Sequence, residues 1–518
     1  MGRTVRTAKY GEKTDTNGTH TLGWNVSGAV QYDAKGRTVQ EGQTYFSTAL
    51  TASPLISETP KLVRPTEQLY DGLDRVIQTV LPDGSIQTND YGVDSDCAYT
   101  LFTDAKGNRT RTESDVRGNI KHLIKYDSTG SILTRGDYEY NVLGELCTAY
   151  DAQQNAITVE YDMLGRRTSL ESADNGRKEY VYDECGNVVE ESDSLLRAEG
   201  VSIAYTYDGL NRLTEIDYPF STDIVYYYGE PGADENGAGR IVRLTDETGM
   251  TTRSYGLLGE VVEESRTIGE YSRIWQTEHT SSSSLSSSRQ YFTGGYYRSW
   301  FEWLISYVYG RRPTGWYYRH HHHGKYGHHL PWYGSTPSYE GAEYSDGSYT
   351  STMSYTSDYL GRMAYITYPD GETLSYSYDK GGQVVSATGV RNGFTTEYVK
   401  DIGYDEYGQR TYIEYGNGTH TSYEYDENRR WLSGIQTKSA TDTVLQNMTY
   451  SFDKVGNVLG YTNTARNYTT RQPYAYDGLY QLVSAKGTST YSPVWPADSS
   501  DMTAYKSTYE QSWRFDNI

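Results

Sequence analysis

Residues 161–189 read YDMLGRRTSLESADNGRKEYVYDECGNVV, and the fold follows from them. The stretch holds one signature twice, Tyr161-Asp162-x-x-Gly165 and Tyr182-Asp183-x-x-Gly186, with 21 residues between copies. Tyr180 and Tyr182 are two positions apart, which places both rings on one face of a strand. On a helix they would diverge by about 200°. Asp suits the first position of a type I turn, where its carboxylate accepts backbone N–H groups, and Gly three residues later takes the positive φ that resumes the strand. Two strands of about six residues and two turns then account for roughly 21 residues, so each repeat is one β-hairpin.

Working outward, the signature returns at Tyr32, Tyr70 (with Asp74 in the glycine place), Tyr207, Tyr378, Tyr404, Tyr425, Phe452 and Tyr476, and more loosely at Tyr126, Tyr140, Tyr255 and Ser357. Steps from Tyr140 are 21, 21 and 25 residues, and steps from Ser357 are 21, 26, 21, 27 and 24. A near-constant period means a repeat array. The residues assigned to the turns are Tyr161, Asp162 and Gly165; Tyr182, Asp183 and Gly186; Tyr378, Asp379 and Gly382; and Tyr404, Asp405 and Gly408. A lone hairpin cannot bury a face, so successive hairpins are expected to pair laterally. The predicted fold is all-β, a long continuous antiparallel sheet.

Composition fits this reading. The 518 residues are only 36% hydrophobic, yet they include 55 Tyr against 8 Phe and 9 Trp, so tyrosine is expected to supply the core, stacked in ladders. No window approaches 18 consecutive apolar residues, which excludes a helical membrane span. Met1-Gly2-Arg3-Thr4-Val5 is not followed by an apolar region, so no signal peptide is visible. Cys97, Cys147 and Cys185 lie 50 and 38 residues apart, neither a disulfide framework nor a zinc spacing. Net charge is -21, and this acidic excess disfavours nucleic acid as a partner. Nucleophile-elbow, zincin, phosphate-loop and Cys-x-x-Cys motifs are all missing from the sequence, and the repeated Asp residues have a turn role to fill, so neither an enzyme nor a cofactor is expected.

The copies at Tyr161, Tyr182, Tyr378 and Tyr404 resemble the YD repeats of Rhs, teneurin and insecticidal toxin-complex proteins, over about 430 of 518 residues. The resemblance implies a β-sheet wound as a spiral into a hollow shell. In bacterial members the shell encloses a toxin, and in teneurins it presents an adhesion scaffold. The self-cleaving core of the bacterial shells carries Asp-Pro motifs, and this chain has no Asp-Pro dipeptide, so that activity does not carry over. The start resembles the tail of a repeat, and Phe515-Asp516-Asn517-Ile518 stops where the repeat glycine would follow, so a fragment of a longer array is expected.

One region breaks the pattern. From Trp275 to Pro337 there is no Asp, the local charge is +4 against -25 elsewhere, and five of nine Trp and seven of ten His are gathered there. The expected organisation is a first hairpin run over 1–267, a Ser/Trp/His-rich and poorly ordered insertion over 268–348, and a second, truncated run over 349–518. An altered reading frame is the other account of the insertion. His320, His321, His322, His323, His328 and His329 are the weak candidates for metal, since imidazole binds Zn, Ni or Cu, although consecutive histidines fix no tetrahedral site. Trp316-Tyr317-Tyr318-Arg319 is an aromatic and basic mixture that could stack nucleic-acid bases.

Two functions compete. In the first, the array is a non-catalytic scaffold, part of a shell that holds a cargo or toxin polypeptide of the same parent chain, beside neighbouring repeat modules. In the second it is an adhesion module that binds carbohydrate or protein. Either would place the parent protein outside the cell or on its surface.

Overall fold

The computed structural model describes residues 6–49, 61–94, 96–268, 349–465, 467–491 and 505–515. The chain divides into two compact units, residues 1–267 with 350–518, and residues 268–349. The hairpins before residue 268 and after residue 349 thus cluster as one unit. Of the other unit only Ile268 and Tyr349 are described, so the expected insertion and all six candidate histidines lie outside the described residues, as do Trp316 to Arg319 and Asp516 to Ile518.

The all-β expectation holds. Among the described residues the one helix is Ser194–Glu199, capped by Asp193 and closed by Gly200 in the left-handed conformation. Strands Thr7–Thr14, His20–Ser27 and Tyr45–Ser47 form a small sheet. The others follow one another in antiparallel order, as where Ala156–Tyr161 pairs with Arg167–Ser172 and that strand with Gly176–Tyr182. Ser265 and Thr352 side chains meet at 2.6 Å and Thr267 and Thr350 at 2.9 Å, so Val261–Ile268 and Tyr349–Ser357, on either side of residues 269–348, lie side by side.

Each of the four assigned Asp-x-x-Gly turns is followed by a β-bulge, whereas the turn between Ser172 and Gly176 is not. Glu160 faces Ser169 but Tyr161 faces Arg167, which leaves Thr168 as an extra residue on the return strand. The same slip occurs where Tyr182 faces Val188, Tyr378 faces Val384 and Tyr404 faces Arg410. Alternation on the tyrosine strand is undisturbed: Tyr180 and Tyr182 are half-buried while Val181 between them is exposed.

Burial differs from expectation. Among the described residues the largest fully buried side chains are Val26, Ile366 and Leu374, and most tyrosines are half-buried. Tyr450, Tyr461 and Tyr474 do form a short ladder, with centroids 6.1 and 6.5 Å apart. Elsewhere a guanidinium lies over the ring instead, as Arg166 does over Tyr182 at 4.7 Å. A sheet covered on one side only cannot enclose large rings, so cation–π contact and hydroxyl hydrogen bonds serve where burial cannot.

The later hairpins also lie against the earlier ones in the same order. Lys13 pairs with Glu406 at 2.7 Å, Arg429 with Asp83 at 3.4 Å and Lys106 with Asp453 at 2.8 Å, while Asn108 donates to the Gly478 carbonyl at 3.0 Å. Partners along this seam are separated by 346 to 397 residues. The sheet therefore returns alongside itself, one row of hairpins seated on the other.

Candidate structural site: the repeat turn and the seam

The functional element of a repeat array is the turn that recurs. In the first copy the Asp162 N–H donates to the Arg166 carbonyl at 2.9 Å and the Gly165 N–H to the Asp162 carbonyl at 3.0 Å. One carboxylate oxygen of Asp162 accepts the N–H groups of Leu164 and Arg166, both at 2.9 Å. The other accepts from Arg166 Nε at 2.6 Å. Gly165, at φ 76°, occupies the left-handed region where a side chain would be strained. The turn is thus closed by backbone, carboxylate and guanidinium together.

Arg166 then reaches into the next repeat. It donates to the Asp183 carbonyl at 2.9 Å while its guanidinium covers the Tyr182 ring. Tyr182 in turn donates its hydroxyl to the Arg167 carbonyl at 2.8 Å, beside the bulge of the preceding hairpin. Tyr161 does the same to Leu146 at 3.0 Å and Tyr404 to Val384 at 2.8 Å, and Tyr378 donates to Met363. Every letter of the signature therefore has a contact: Tyr satisfies a carbonyl at the previous bulge, Asp closes the turn, Gly turns the chain, and Arg ties one repeat to the next.

The other assigned turns keep this frame with changed details. Asp183 accepts both the backbone and side-chain N–H groups of Asn187 at 2.8 Å, so asparagine replaces the guanidinium, and Gly186 has φ 92°. Asp379 accepts the Gln383 N–H at 2.7 Å, and Gly382 has φ 87°. Asp405 accepts from Tyr407 and Gln409 at 2.9 and 2.8 Å, and Gly408 has φ 78°. Where glycine is replaced, Asp74 (φ 64°), Asn211 (φ 60°) and Tyr480 (φ 66°) adopt the same left-handed backbone.

Electrostatics separate two kinds of turn. The backbone N–H of Arg166 and its side chain hold the Asp162 carboxyl below the usual range, and Asn187 does so for Asp183. Asp405 is 4% exposed at the seam, and burial pushes its carboxyl upward despite the Gln409 N–H and the Arg430 guanidinium bonded to it. Tyr404 is pushed up to about 12 by burial.

The seam carries a second cluster. His20 Nε2 meets Asp401 at 2.7 Å, and its Nδ1 lies 2.5 Å from Glu12 and 3.1 Å from the Thr14 hydroxyl. Burial disfavours the charged ring, but Asp401 and Glu12 outweigh it and raise its pKa. Thr411 donates to the Thr14 carbonyl at 2.8 Å, which fixes the same strand. Among the described residues no three His, Cys, Asp or Glu side chains are placed to hold a metal ion. Sequence reading missed the bulge, the hydroxyl-to-carbonyl bond, the Arg over the next Tyr, and the seam. The Arg after Gly was a signal for the third, whereas the seam leaves no local trace.

Residues 52–268 match the family model described as Teneurin YD-shell. The toxin subunit YenC2 of Yersinia entomophaga is 31% identical over 165 residues, which cover 27% of this chain and 17% of that protein. A crystal structure described as TcdB2-TccC3-Cdc42 superposes with a TM-score of 0.69 at 20% identity over 100% of this chain and 25% of its own. A Tc holotoxin pore of Photorhabdus luminescens gives 0.69 at 21% identity, over 100% of this chain and 24% of its own. The family model covers most of the first hairpin run, and the fold is the one these toxin-complex chains share. The chain spans about a quarter of the solved chains and a smaller part of the curated relative.

Proposed function

We propose that the chain is part of a non-catalytic shell wall whose parent protein encloses a toxin or other cargo polypeptide, outside the cell. The observation that carries this reading is the seam: rows of hairpins seated edge to edge, as in Lys106 on Asp453 and Asn108 on Gly478, make a wall rather than a ribbon. The match to the shell model and the likeness to toxin-complex chains support it. No described helix is long and apolar enough to cross a membrane. Adhesion to carbohydrate or protein remains the second reading, supported by the teneurin side of the family match.

Limited proteolysis separates the two. The longest polypeptide encoded in frame with this chain is expressed and digested, and a protected fragment without repeats is the expected product. A fully accessible polypeptide that binds glycan arrays or cells would contradict the shell.

A further inference from the structure

Strands follow one another in antiparallel order, so alternate turns share an edge. The turns at Asn141, Asp162, Asp208, Gly256 and Asp358 lie on the same edge as those at Asp379, Asp405, Asp426, Asp453 and Asp477. In the later set this edge is seated on the earlier row. Tyr407 is half-buried there and donates to the Gln43 side chain at 3.0 Å, and Gly478 packs beside Leu133. In the earlier set it is uncovered and apolar at these five turns, where Val142 is 84% exposed, Met163 99%, Leu257 91% and Tyr359 89%, and it is interrupted by the exposed polar turns at Glu184-Cys185 and at Glu230 to Asn236. Scattered apolar residues need no explanation, but a row repeated at one turn position along one edge does. The opposite edge differs. Its exposed turns carry Asp174, Asn175, Asn392, Asn417 and Asp442, interrupted by Leu195, Phe220 and Phe394.

We propose that this uncovered edge is an interaction surface, and that its occupant is the polar turn edge of a second copy of the chain. The argument is continuity with the contact inside the molecule. The covered edge begins at the Asp379 turn, one hairpin after the exposed Tyr359; it rests first on strand Thr7–Thr14 through Lys9 and then on the polar turns that carry Asp83, Lys106 and Asn108, turns of the kind the exposed Asn392, Asn417 and Asp442 present. Docking is head to tail, with different surfaces on the two copies, so it adds copies rather than closing a symmetric pair. The inference does not depend on what the shell encloses.

Sedimentation velocity of the full chain, in reductant because Cys185 is exposed on this edge, tests it. The average mass of the wild type is expected to rise above 58.6 kDa with concentration. The variant Met163→Ser, Leu164→Ser, Leu257→Ser, Leu258→Ser changes only side chains at least 75% exposed, so it should keep the wild-type circular dichroism and stay monomeric. When labelled and mixed with wild type, it should join the faster species, because its polar edge is intact. A wild type that is monomeric throughout would overturn the proposal. So would a variant that associates undiminished, since exposed strand edges would then be the contact, or a variant excluded from wild-type assemblies, since the apolar edges would then meet each other.

Discussion

At the scale of single residues, the signature is a set of bonds between neighbouring hairpins as much as a turn. Tyr404 shows this best, because its ring is half-buried and its hydroxyl serves the Val384 carbonyl beside a bulge. Tyr404→Phe leaves that carbonyl without its donor and is expected to cost about 1–2 kcal/mol, read as a lower urea midpoint. Tyr182→Phe, where the same bond is exposed to water, should cost less. Equal losses at both sites, or none, would remove the hydroxyl from the account. The turn carboxylates make an acid prediction. Asp162 and Asp183 have folded values below their unfolded ones, so their contribution is present above about pH 4 and is lost as pH falls through the lowered values. Asp405 works in the opposite sense, because burial raises it. Asp162→Asn should flatten the acid limb of a stability profile more than Asp405→Asn does.

Elements bring the titration at the seam into view. Strands Thr7–Thr14 and His20–Ser27 attach to Phe394–Tyr404 through His20, which stands between Glu12 and Asp401. Asp15 also faces it, and Lys13–Glu406 and Lys400–Glu414 flank the contact. A raised histidine value means the attachment is complete below the ordinary imidazole range, near pH 6.5, and weakens as pH rises through the raised value. Amide protection factors over residues 20–27 should therefore fall as pH rises above the ordinary imidazole value of about 6.5 in the wild type and stay level in His20→Gln. A wild type with level protection would show that the attachment rests on the Thr411–Thr14 bond and the Lys13–Glu406 pair instead. The comparison also shows what the sequence could disclose. Hairpins were legible because Asp-x-x-Gly and alternating tyrosine are local signals, complete within eight residues. The bulge was not, because it changes which residue faces Tyr161 without changing the residue types. His20 and Asp401, 381 residues apart, share no periodic position that would join them. Tyrosine was read as core because composition cannot tell a half-covered face from a covered one.

For the whole molecule, the central claim is that the array returns alongside itself in register, which turns a long ribbon of hairpins into a wall. Lateral hairpin pairing alone would give a solenoid with contacts only between neighbours. The seam adds contacts between residues more than 340 positions apart, and the shell reading depends on them. Zero-length carbodiimide cross-linking reads them directly, because it joins only lysine and carboxylate groups already in contact. In the monomer fraction, peptide mapping should find Lys13 joined to Glu406 and Lys106 joined to Asp453, at a yield similar to the neighbouring-strand pair Lys178 and Glu191. Recovery of Lys178–Glu191 with neither seam link would contradict the account and leave a ribbon that never closes into a wall.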